Sequence, residues 1–84
     1  PFGSLVELGI IKPGSTIFDN KKKVRAKIMA DGSIKHAQTE GSIHKVAATI
    51  LGAESCNGWT YWHYNLDGAV VPIDHLRQRL ISNS

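Results

Sequence analysis

From Lys23 to Met29 the chain alternates, with Val24, Ala26 and Ile28 on one side of an extended backbone and Lys23, Arg25 and Lys27 on the other. Asp31-Gly32 follows directly. That dipeptide suits a type I′ hairpin turn, whose two central residues both take positive φ. A strand with one apolar face and a tight reversal pairs with its successor, Ser33 to Ala37, and its apolar face must be covered. The chain is therefore committed to a half-buried antiparallel sheet. With 84 residues it has enough length for one small domain and too little for two.

The flanking segments supply the cover. Ser4-Leu5-Val6-Glu7 has the form of a capping box with Ser4 as N-cap, and Gly9 is placed to stop a short helix. Lys12-Pro13-Gly14-Ser15 fits a type II turn, and Thr16-Ile17-Phe18 a short strand before the polar Asp19-Asn20. Gln38 to Gly41 reads as a turn, after which Ser42 caps a second helix. Its stripe is Ile43, Val46, Ala47, Ile50 and Leu51, at i, i+3, i+4, i+7 and i+8, with Gly52 as C-cap. Trp59 to Tyr64 is dense in β-formers and reads as a strand. In that case either Trp59 and Tyr61 or Trp62 and Tyr64 enter the core. Asn65 to Ala69 turns the chain, and Pro72 suits the first turn of a last helix with Ile73, Leu76, Leu80 and Ile81 inward and Arg77 and Arg79 elsewhere. Ser82-Asn83-Ser84 is expected to fray. The expected fold is α+β: a small antiparallel sheet of three to four strands with about three short helices on one face, a single domain over residues 1–84.

Several function classes are disfavoured. No apolar run is long enough to span a membrane, and no charged n-region precedes an apolar h-region. The chain starts at Pro1 rather than Met, which fits a domain cut from a larger protein. A single cysteine, Cys56, excludes an internal disulfide framework and fits a cytoplasmic setting. None of His36, His44, His63 and His75 stands in an i, i+4 pair or an H-E-x-x-H arrangement, so no metal site is expected. G-x-S-x-G, the P-loop and G-x-G-x-x-G are all missing, and the carboxylates are scattered; no catalytic residue is expected.

Charge is the positive signal. Formal net charge is +3, but it is uneven: residues 1–45 carry +4 and residues 46–84 carry −1. The segment with Lys21, Lys22, Lys23, Arg25 and Lys27 would set several cations about 7 Å apart along one strand face, near the spacing of phosphates on a nucleic-acid strand. A lysine-rich edge that blocks sheet-to-sheet aggregation is the competing explanation. Aromatics of residues 59–64 left outside the core would suit stacking on unpaired bases. The start of the Ser42 helix, with His44 and Lys45 in its first turn, has free N–H groups that suit a phosphate; plain N-capping is the simpler role.

Gly41-Ser42-Ile43-His44-Lys45-Val46-Ala47, followed by Gly52 to His63 with its Asn57-Gly58-Trp59-x-x-Trp62 block, resembles the C-terminal domain of cell-cycle-regulated DNA adenine methyltransferases of alphaproteobacteria (CcrM type). More broadly the chain is similar to the restriction-enzyme and adenine-methylase associated (RAMA) domain. The leading Leu-Val-Glu-Leu-Gly-Ile-Ile-Lys-Pro-Gly and the closing Pro-Ile-Asp-His-Leu-Arg extend the likeness over nearly the whole chain. The resemblance implies a parent enzyme that methylates adenine N6 in a GANTC-type site. Its S-adenosylmethionine and its catalytic motif would belong to an N-terminal methyltransferase domain, leaving no cofactor here. It also implies DNA-binding roles for Ser42 and Trp59, with His44, Lys45 and Asn57 as neighbours. Asn57 reads equally well as an Asn-Gly turn residue. The expected partners are DNA and that methyltransferase domain, with a homodimer of the parent possible and no membrane. The rival expectation is a dimerisation or protein-interaction module; a metal-dependent nuclease fragment is a third.

Overall fold

The computed structural model describes residues 2–82; Pro1, Asn83 and Ser84 lie outside the described residues, and of the segment expected to fray Ser82 is helical. In chain order the elements are α1 (Phe2–Glu7), β1 (Thr16–Phe18), β2 (Arg25–Ile28), β3 (Ile34–His36), β4 (Thr39–Gly41), α2 (Ile43–Leu51), α3 (Gly58–Tyr61), β5 (His63–Leu66), β6 (Ala69–Pro72) and α4 (Ile73–Ser82). The class is α+β, as expected. Among the described residues, however, the sheet has six strands in the order β4-β3-β2-β1-β5-β6, every pair antiparallel, and there are four helices.

The two extra strands sit at the sheet's edges. Thr39–Gly41, expected as a turn, pairs with β3 after a two-residue reversal at Ala37-Gln38, with Ala37 at φ 52°. The second is β6, which leaves the turn expected over Asn65 to Ala69: Leu66 pairs with Ala69 across Asp67-Gly68, at φ 52° and 90°. Positive φ at both central residues is the type I′ signature. It had been expected at Asp31-Gly32. There only Gly32 is left-handed (φ 86°), because Ile28 pairs with Ile34 across a longer loop closed by Met29 N–H to Ser33 O at 2.8 Å. Asp31 instead uses its carboxylate to accept from the Ser33 amide and hydroxyl.

The aromatic run is not a strand through its length. Residues 58–61 form one helical turn, capped by Asn57, whose Oδ1 accepts from the Trp59 amide at 3.0 Å. Helical spacing changes which side chains meet: Trp59 and Trp62, three apart, turn to the same side, so both tryptophans enter the core. Strand β2 starts at Arg25 rather than Lys23, since the Asp19 carboxylate takes the amides of Lys23 and Val24. Helix α1 starts at Phe2, so Ser4 lies inside it instead of capping it. Leu51 and Ile81, expected in buried stripes, are 56% and 59% exposed, each in the last turn of its helix. The core is formed by Leu5, Ile11, Ile17, Ala26, Ile28, Ile34, Val46, Trp62 and Ile73, with Trp59 and Phe2 closing one side.

Candidate functional site

Helix α2 behaves locally as its sequence dictates. Ser42 Oγ accepts from the Lys45 amide at 3.0 Å, and Gly52 ends the helix at φ 67°. The 53–58 loop then brings α3 back against the start of α2. Gly58 makes the approach possible: a Cβ there would stand 2.6 Å from the carbonyl carbon and oxygen of Ile43. Two hydrogen bonds hold the junction. The Gly58 amide donates to Nδ1 of His44 at 2.9 Å, and the Trp62 indole N–H donates to the Ile43 carbonyl at 2.9 Å.

Five of the expected site residues thus converge. Ser42, His44 and Trp59, with Phe2, Gly3, Gly32 and Ile43, line a cleft of about 260 Å³. Ser42 and His44 also line a second, more open cleft with Lys45, Glu54 and Cys56, so they form the ridge between the two. Asn57 is at the neighbouring cap of α3. Trp59 is only 8% exposed. The rings of Phe2 and His44 meet it edge-on at 6.3 and 6.5 Å, and the Arg77 guanidinium sits 4.5 Å from its ring centre.

The basic residues form a separate group. Lys21, Lys22 and Lys23 lie in the β1–β2 loop, and Arg25 and Lys27 point outward from β2. Gly41 pairs with Ile34 beside the β2–β3 loop, so Ser42 is at the opposite end of the sheet from Lys21–Lys23. The four-residue strand β2 separates the two ends by roughly 13 Å. On the outward face Lys27 stands directly opposite Lys35, which in turn faces Glu40. Lys22 adopts a left-handed backbone (φ 59°) and places its ammonium over the Phe18 ring at 5.4 Å.

Sequence reasoning missed Arg77, Phe2 and Lys35. For Arg77 a signal existed: 73, 76, 77 and 80 are an i, i+3, i+4, i+7 series, which puts Arg77 on the border of the buried stripe rather than away from it. Lys35 follows from the hairpin register, which sequence alone left free. Among the described residues no group of three or more His, Cys, Asp or Glu side chains could hold a metal ion, and no helix is long and apolar enough to cross a membrane.

Comparison with known proteins adds two findings. The family model described as Restriction Enzyme Adenine Methylase Associated (RAMA) matches residues 1–84. The chain is similar to the type II methyltransferase M.HinfI of Haemophilus influenzae, with 30% identity over 77 residues that cover 92% of this chain and 21% of that protein. It spans about a fifth of the length of that relative.

Proposed function

The chain belongs to the restriction-enzyme and adenine-methylase associated (RAMA) family, and from that premise we propose that it is a non-catalytic DNA-binding domain of a DNA adenine-N6 methyltransferase. The observation that carries this reading is the convergence of Ser42, His44 and Trp59 on one cleft at the start of α2. The cleft pairs an aromatic wall with a hydroxyl, an imidazole and the adjacent Lys45, a combination suited to a base and its phosphate. The outward face supplies a second contact. Like charges directly opposite on neighbouring strands repel, as Lys27 and Lys35 do, and a phosphate backbone laid across them relieves that repulsion.

In this reading the methyltransferase domain of the same chain holds S-adenosylmethionine and does the chemistry, and the parent is of the CcrM type acting on a GANTC site in the bacterial cytoplasm. Methylating a base requires exposing it, and a domain that grips opened strands stabilises the exposed state. Lys21, Lys22, Lys23, Arg25 and Lys27 neutralise phosphates, while Trp59 and Asn57 contact bases or backbone near the opened site.

The test is a titration of labelled GANTC-containing duplex and single-stranded DNA at two salt concentrations. Affinity is expected to fall steeply with salt, and Arg25→Ala or Lys27→Ala to lower the slope by about one each. Salt-insensitive or undetectable binding of both DNA forms overturns the reading. A dimerisation module is the second reading. It is favoured by an apolar groove of about 210 Å³ lined by Ile10, Leu66, Leu76, Arg79 and Leu80. It requires a dimer in sedimentation of the chain without DNA.

A further inference from the structure

The geometry points to His44 as a positioning residue that works as a neutral imidazole, holding the Asn57-Gly58-Trp59 turn against α2 instead of offering a positive charge. Its consequence for DNA rests on the function proposed above; the role itself does not. An amide can only donate, so the 2.9 Å bond from Gly58 requires Nδ1 to carry no proton, and the ring's single proton is on Nε2. A cationic ring has N–H groups on both nitrogens. It would set two donors face to face and leave the buried Gly58 amide without its acceptor.

The bond acts where the site has least slack. The Gly58 backbone already touches the Ile43 carbonyl, and the Trp62 indole donates to that same carbonyl. The next amide, that of Trp59, is held by Asn57 Oδ1. His44 thus fixes the residue between the cap and the ring, and its own ring lies edge-on to Trp59. Composition alone would assign it otherwise. Lys45 is its neighbour, and Arg77 lies over the Trp59 ring, so an added cation looks natural beside them. The hydrogen bond assigns the opposite electrical state.

Three variants separate the roles. Asparagine places an amide oxygen near the position of Nδ1, glutamine places its amide farther out, and lysine supplies charge without an acceptor. In the 15N-labelled chain, long-range imidazole spectra should show the proton on Nε2, and the Gly58 amide should exchange slowly. His44→Asn should retain that protection, because its amide oxygen still accepts from Gly58. His44→Gln and His44→Lys should lose the protection and bind roughly tenfold or more weakly, in the lysine variant despite its added charge. A proton found on Nδ1, lysine binding as tightly as the native chain, or asparagine failing in protection overturns the assignment. If the native chain binds no DNA, the proposed function fails, while the imidazole spectra and the amide exchange still decide what His44 does.

Discussion

At position 58 the backbone of α3 runs so close to Ile43 that even a methyl group has no place, and a methyl there is 2.6 Å from a carbonyl that cannot swing away. Gly58→Ala should therefore lower stability by about 1–3 kcal/mol through overpacking. Trp59→Ala removes a core ring and should cost about 3–5 kcal/mol. Urea unfolding monitored by circular dichroism checks both. The values put a condition on any DNA-binding assay of Trp59→Ala: the fraction folded must be measured alongside, because the indole is packed by Phe2, His44 and Arg77 at once. Of the Asn-Gly-Trp block only the turn at Asn57-Gly58 was legible, since turn preference is local; the cap that Asn57 places on a helical turn was not. That Gly58 abuts Ile43, and that His44 accepts its amide, was not. Both contacts join residues about fifteen positions apart, and no short-range pattern records them.

Among the elements, helix α2 was legible nearly in full, because cap, stripe and terminal glycine agree with one another and with the packing. The hairpins were legible only in part. Two Asp-Gly dipeptides occur, and the local preference of each for a type I′ turn is the same; the register of the flanking strands gives that turn to Asp67-Gly68 and denies it to Asp31-Gly32. The aromatic run failed for a related reason, since β-forming side chains were outweighed by the asparagine cap and by the gain from burying two tryptophans three residues apart. The β2–β3 hairpin carries a pH prediction. The Ser33 hydroxyl, and then its amide, donate to the Asp31 carboxylate and hold it below its ordinary value near 3.8. A carboxyl depressed by folding stabilises the fold above its unfolded-state value, and that contribution is lost as acid protonates it. Melting temperatures measured from neutral pH down to about pH 2, well below the ordinary carboxylate value, should thus fall less for Asp31→Asn than for the native chain, which starts higher at neutral pH.

Over the whole molecule, α4 is what closes the core: Ile73 and Leu76 are buried in it, and Arg77 lies over the Trp59 ring. A chain ending at Pro72 is expected to lose cooperative thermal unfolding, which circular dichroism and calorimetry would register together. The two groups of candidate contacts lie at opposite ends of one sheet and differ in how they are tied to the fold. The cations of the β1–β2 loop and the outward face are exposed and absent from the core, and among the described residues the one ion pair joins Arg77 to Asp74, elsewhere. Charge on that face is therefore adjustable in single steps, each substitution changing attraction for an anionic partner and leaving the packing as it was. The cleft has no such latitude. There Trp59 would grip and pack with the same atoms, held by His44 and Gly58, so its chemistry can change only by changes that the fold must also survive.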